Sequence, residues 1–177
     1  MSDKLPSREQ ALQLLAENGC QANVIEHCIA VAQLAIETAE ILKKKGLTID
    51  LKFVEIGALL HDIGRSKTHS VDHAITGAKI AQAIGLPKPI VNIIKRHVGG
   101  GITLEEAKRL GWPNDNEYSP ITLEEKVVSY ADKLIDHGQR VPIELTIEQF
   151  RIKGLSEAAE RIVKLHKEII ALIGDCT

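Results

Sequence analysis

Leu59-Leu60-His61-Asp62-Ile63-Gly64 closes the most apolar stretch of the 177-residue chain. The run before it, from Asp50 through Phe53, Val54, Ile56, Ala58 and Leu59, is apolar nearly all round. A helix with that pattern is buried on every side rather than laid on a surface, so the stretch predicts a central helix wrapped by others. His61 and Asp62 end it. Burying an imidazole and a carboxylate costs several kcal/mol unless they are paired or bound to a cation. A divalent metal is the most economical solution, because neutral imidazole nitrogen and carboxylate oxygen suit zinc, iron, manganese and nickel. Adjacent helical residues diverge by about 100°. At the last turn both side chains still reach one cavity, and the remaining ligands must come from other helices.

Turn signals cut the rest of the chain into short pieces, nearly all of helical period. Ser7, three before Gln10, opens a helix that ends near Asn18-Gly19. Asn23, three before Glu26, resembles a capping box for the next. Its residues Val24, Cys28, Val31, Ala35, Ala39 and Leu42 share one face, and Lys43 to Lys45 with Gly46 close it. Asp72 or Ser70 caps a helix from about His73 to Ile84, and another runs from about Pro89 to His97 until Gly99-Gly100-Gly101 breaks it. Thr103 with Glu106 begins a short helix, and Thr122 with Glu125 a longer one through Val127, Val128, Ala131, Leu134 and Ile135. Thr146 with Gln149 opens a short segment, and Ser156 opens the last helix, to about Ile173. Only Ile143 to Ile147 has extended character, and a lone strand has nothing to pair with. The reading is all-α: a single domain over residues 1–177, folded as a compact bundle of about seven to nine helices.

Composition agrees with a globular domain. Hydrophobic residues make up 44% and charged residues 26%, and aromatics at 3% leave Ala, Val, Ile and Leu to fill the core. The 22 basic and 24 acidic residues give a net charge of −2, so no nucleic-acid polymer is expected as a partner. No apolar run approaches the roughly 20 residues that cross a bilayer, so no membrane is expected either. The polar opening with Pro6 is not a signal peptide. Cys20, Cys28 and Cys176 are odd in number and lack CxxC pairing, which reads as reduced thiols in a cytoplasmic protein.

Two more polar residues interrupt core-facing patterns: His27 in the second helix, and Asp132 between Ala131 and Leu134. A His, then His-Asp, then a distant Asp, in helices, resembles the HD-domain superfamily of metal-dependent phosphohydrolases. His27 begins a segment similar to that family's H-x-x-x-V-A helix, His61-Asp62-Ile63-Gly64 matches its signature pair, and Ala131-Asp132-Lys133-Leu134 matches its final aspartate. The resemblance is strongest over residues 20–140, with the helix at 156–173 packed on that body. His73 in His73-Ala74-Ile75-Thr76-Gly77-Ala78, and His97 in Ile94-Lys95-Arg96-His97, are similar to the extra histidines of branches that hold two metals. Val98 follows His97 where one such branch has a second histidine, and no G-Y-P signature follows the His-Asp pair. The match is closest to the short single-domain members.

The resemblance implies one or two divalent ions per chain, Mn, Fe, Co, Ni, Zn or Mg. His27, His61, Asp62 and Asp132 would hold the first, and His73 and His97 would complete a second site with Asp62 bridging. It implies hydrolysis of a phosphoester or phosphoanhydride, with a nucleotide as the expected small-molecule substrate. Asp62 would orient the attacking water, and Arg65 and Lys133 would bind the phosphate. Lys67, in an exposed loop, is a weaker candidate. Two alternatives stand beside this: a non-catalytic regulatory domain that binds a metal or nucleotide, and a di-iron oxygenase. A homo-oligomer is left open. The remaining features take plainer readings. His69 is a solvated loop residue, and His137 and His166 are surface residues. Cys28 is core, the triple glycine either a connector or a mobile active-site flap, and Trp112 the anchor of its loop in preference to a ring that stacks on a nucleobase.

Overall fold

The computed structural model describes residues 5–113 and 117–174; Cys176 and part of the loop after Trp112 lie outside them. Helix α1 spans Arg8–Glu17, α2 Ala22–Lys44 and α3 Leu51–Leu60. A short 3-10 turn, Ile63–Ser66, leads to α4, His73–Ala83, and α5, Lys88–Arg96. A second 3-10 turn, Val98–Gly100, leads to α6, Leu104–Arg109, and then α7, Leu123–Lys133. Two-residue strands β1, Ile135–Asp136, and β2, Gln139–Arg140, precede α8, Ile143–Ile152, and α9, Ser156–Ile173.

Helix α3 is central, as its all-round apolarity requires. It packs on α1, α2, α5 and α7, and Val54, Ala58, Leu59 and Leu60 are fully buried. Gly57 permits the close approach of α5: a Cβ there would lie 2.4 Å from Ile93 Cδ1. Around α3, the small residues Ala32, Ala35 and Ala39 of α2 and Ala131 of α7 let backbones pack tightly without aromatics. A second, smaller core joins Ala74 of α4 to Ile102, Ala107, Trp112 and Tyr118, so the excursion between α5 and α7 is sewn onto α4.

Helix starts with a hydroxyl cap lie where the sequence places them. Ser7, Thr103 and Thr122 each accept from the backbone N–H three residues on, with Gln10, Glu106 and Glu125 returning the bond. Asp50 accepts from Lys52 and Phe53 N–H. Other starts differ. Helix α2 has Gln21 at its N-cap position without a side-chain cap, and Asn23 falls inside its first turn. Asp72 sits at the N-cap of α4 without capping it, because its carboxylate is held elsewhere: by Trp112 Nε1–H at 2.7 Å and by Ser70 Oγ–H at 3.1 Å.

The chain after α7 departs most from expectation. The helix stops at Lys133, and Ile135 enters a hairpin with Ile135 opposite Arg140 and Asp136 opposite Gln139. His137 and Gly138 form its two-residue turn, both with positive φ (46° and 73°), as the right-handed twist of a tight hairpin demands. Ile143 to Ile147 is helical, because Pro142 starts α8 there. Thr146 opens nothing; its hydroxyl donates to the Lys133 carbonyl at 2.6 Å and ties α8 to the end of α7. No helix among the described residues is long and apolar enough to cross a membrane.

Candidate metal centre

His61 is the C-cap of α3, and Asp62 precedes the 3-10 turn. His27 comes from α2, Asp132 from the last turn of α7, His73 from the first turn of α4, and His97 from the C-cap of α5. All six converge. Their ligand atoms form three overlapping groups within 4.8 Å: His27, His61 and Asp62; His61, His97 and Asp132; Asp62, His73 and His97.

Asp62 joins the two halves through different oxygens. Its Oδ2 lies 3.6 Å from His61 Nε2 and 3.9 Å from His27 Nε2. Its Oδ1 lies 3.1 Å from His73 Nε2 and 3.4 Å from His97 Nε2. Asp132 Oδ1 completes the first half, 2.9 Å from His27 Nε2 and 3.4 Å from His61 Nε2. Atoms bound to one ion at about 2.0–2.2 Å sit roughly 3.0–3.5 Å from one another, and the spacings here run from 2.9 to 3.9 Å around that range.

The backbone fixes which nitrogen each ring presents. His61 Nδ1–H donates to Ala58 O at 2.6 Å, His73 Nδ1–H to Ser70 O at 2.7 Å, and His97 Nδ1–H to Ile94 O at 2.7 Å. A carbonyl only accepts, so each Nδ1 carries hydrogen and each Nε2 is left to face the cavity with its lone pair. Two such nitrogens, on His73 and His97, meet at 3.0 Å. His61 Nε2 and Asp62 Oδ1 are buried without a hydrogen-bond partner among the described residues. Lone pairs gathered this closely repel unless a cation lies between them. The donor set therefore fits divalent metal.

Charge is arranged to match. Burial opposes the ionised forms of Asp62 and Asp132, yet both are held well below the ordinary carboxylate range, Asp62 by His61 and the other imidazoles, Asp132 by Lys133 and then His27 and His61. Burial pushes His97 down to about 4, so it stays neutral and ligand-ready. Burial also opposes charge on His61, but Asp62 and its other neighbours raise it well above the usual imidazole value. Without a cation, the proton takes the place of one.

Glycines shape the floor. A Cβ on Gly64 would lie 1.9 Å from His73 O and 2.6 Å from Gly77 N, and one on Gly77 would lie 2.9 Å from Ile94 Cγ2. The glycines of His61-Asp62-Ile63-Gly64 and of the His73 motif thus touch each other's backbones and bring the two halves within bonding range.

The two cations sit where the sequence puts them, already engaged. Arg65 Nε–H donates to Asp62 Oδ2 at 2.6 Å, and buried Lys133 pairs with Asp132 Oδ2 and reaches His97 O at 3.4 Å. Arg65 lines two cavities, and Asp136 lines both with it. One, of about 210 Å³, is lined also by His73, His97, Lys133, Gln149 and Phe150. The other, of about 450 Å³, is lined also by His27, Asp62, His69 and His137. His69 and His137 are exposed as expected, but they stand at this mouth. His166 is half-buried rather than on the surface, because it pairs with the Tyr130 hydroxyl at 2.8 Å. Cys28 is fully buried, as expected of core. Sequence reasoning missed Gln149, Phe150 and the hairpin at the rim; the one local signal was His137-Gly138, a pair suited to a two-residue turn.

A family model for the HD domain matches residues 24–135. An uncharacterized protein of Methanocaldococcus jannaschii is 45% identical over 167 residues, 93% of this chain and 98% of its own length. A tRNA (cytidine(56)-2'-O)-methyltransferase of Thermoplasma volcanium is 40% identical over 96% of this chain, which spans only 48% of that enzyme. The HD domain of L. monocytogenes phosphodiesterase PgpH in complex with cyclic-di-AMP shares the fold, with a TM-score of 0.53 at 20% identity, over 91% of this chain and 94% of that one. By its family match, the chain belongs to the HD-domain family.

Proposed function

We propose that the chain is a metal-dependent phosphohydrolase that cleaves a phosphoester or phosphoanhydride of a nucleotide. The observation that carries this is Asp62, which offers one oxygen to His27 and His61 and the other to His73 and His97. That is the ligand set of a two-metal site with a shared carboxylate. His27, His61, Asp62 and Asp132 would hold one ion, and Asp62, His73 and His97 the other. Divalent ions there supply a water acidified toward neutrality and positive charge for phosphoryl oxygens. Asp62 is placed to orient that water. Arg65 spends one of its five N–H groups on Asp62 and keeps four for a phosphate. Lys133 supports Asp132 and lines the same cavity. HD domains are generally metal-dependent phosphohydrolases, and a structural neighbour binds a cyclic dinucleotide, which favours a nucleotide substrate.

The test is metal content and turnover on protein purified without chelator. The expected result is up to two ions per chain, and release of phosphate or a nucleotide from a panel of mononucleotides, dinucleoside polyphosphates, cyclic dinucleotides and short RNA. The Asp62→Ala chain should lose the ions and slow by on the order of a thousandfold, the several kcal/mol that metal activation supplies. A wild-type chain that takes up no manganese, iron, cobalt, nickel, zinc or magnesium ends this reading. Loaded protein that binds nucleotides without turnover would point to a regulatory domain instead.

A further inference from the structure

The smaller cavity has a mixed lining. Arg65, Lys133, Asp132 and the ligands His73 and His97 give it charge and metal-binding groups. Val98, Ile135, Gln149 and Phe150 share that lining. Helix α8 supplies Gln149 and Phe150 and is tied down by the Thr146 hydroxyl on the Lys133 carbonyl at 2.6 Å. The helix is therefore fixed to the residue that gives the cavity one of its cations. Gln149 is exposed, and its carboxamide makes no hydrogen bond to any described residue. A carboxamide both donates and accepts, and one left free beside an aromatic ring is suited to the edge of a heterocycle.

We propose that this cavity is a nucleobase subsite, with the base against Phe150 and its edge read by Gln149. This deepens the phosphohydrolase reading and rests on it for the phosphate. At about 210 Å³ the cavity is below the roughly 300–1,000 Å³ of pockets for drug-sized ligands, so a single base suits it better than a dinucleotide. The substrate portion beyond the phosphate then lies across Arg65 in the larger cavity of about 450 Å³. The two cavities differ in one respect that matters for a base: Phe150 lines this one, whereas the lining of the larger holds no phenylalanine, tyrosine or tryptophan. Base recognition belongs to the cavity with α8.

Saturation-transfer NMR on the intact, metal-loaded chain tests this with adenosine, guanosine, cytidine, uridine and, as the base-free control, ribose. None carries a phosphate, so nothing is hydrolysed. The expected result is transfer to base protons of at least one nucleoside and none to ribose. Phe150→Leu keeps bulk but removes the ring, and should weaken that nucleoside about tenfold, the factor that roughly 1.4 kcal/mol of stacking represents. Gln149→Ala, at an exposed position, should leave the fold intact and flatten the ranking among the four bases. Equal signals from ribose and all nucleosides, no signal from any, or a ranking unchanged in both variants would overturn the subsite. Phosphate release that ignores the base would leave the hydrolase standing and remove the subsite. Base binding without turnover would do the reverse.

Discussion

Gly64 shows how one residue with no side chain sets the chemistry of its neighbours. Its missing Cβ would fall 1.9 Å from the carbonyl of His73 and 2.6 Å from the amide of Gly77, both backbone atoms that no rotamer change can move. Gly64→Ala must therefore push α4 away from the 3-10 turn, and His73 moves with it. Overpacking costs about 1–3 kcal/mol when side chains can yield, and more where backbone is struck. We expect at least about 3 kcal/mol of lost stability in urea, together with loss of the ion on the His73 side. Gly85→Ala is the control. It meets open space at φ +77°, so it carries only left-handed strain of about 1 kcal/mol and should keep full metal content. Equal effects from the two substitutions would show that α4 is not positioned through this contact. The residue pattern His-Asp-Ile-Gly was legible in sequence. The reason for its glycine was not, because the atom it avoids lies in another helix.

At the scale of elements, legibility followed the range of the forces involved. Starts with a local capping box were readable, because Ser7, Thr103 and Thr122 close their bonds within three residues. The Asn23 start failed because chain entry, not a side-chain cap, sets α2 at Gln21. Asp72 failed as a cap because a distant partner took its carboxylate. The Asp72 bond to Trp112 has a consequence for the site. It holds the turn Ser70–Asp72, whose Ser70 carbonyl accepts the Nδ1–H of His73. Trp112→Phe keeps the ring packed beside Tyr118 but removes the donor. The expected cost is about 1 kcal/mol, since Asp72 is exposed and water replaces part of the bond. Outer partners of metal ligands typically carry 10–100-fold in affinity, so a partner one step further out should weaken the His73-side ion several-fold. Manganese titration followed by electron paramagnetic resonance separates the two binding steps. Only one of the two steps should shift; equal shifts in both, or none, would reduce Trp112 to an anchor of its own loop.

Across the whole molecule, the candidate ligands come from five helix ends or faces, and their types were readable long before their meeting was. What no local pattern held is the division of Asp62 between two imidazole pairs, or the lining that α8 supplies, since both depend on packing between distant segments. The assembled site has a pH signature in the metal-free chain. His97 has its proton affinity lowered to about 4 by burial, against 6.5 for a free imidazole. Between those values the unfolded chain binds a proton that the folded one refuses, so stability is lost as pH falls through this window. His61 runs the other way, raised well above 6.5. Its contribution is fully present below 6.5 and is lost as pH rises through its folded value. Asp62 and Asp132, both lowered, add losses only below about their unfolded value of 3.8. The metal-free Tm should therefore peak near pH 6.5. Loading must expel the His61 proton, so it should release protons at neutral pH and weaken as pH falls. At a thousandfold excess over Kd, the bound ion should add about 4 kcal/mol, or roughly 8–16 °C in Tm for a chain of this size. Thermal scans of chelated and reloaded protein from pH 4 to 9, with proton release followed by indicator dye, check all three. A flat metal-free profile, or loading without proton release, would mean that His61 and His97 do not share one electrostatic cavity.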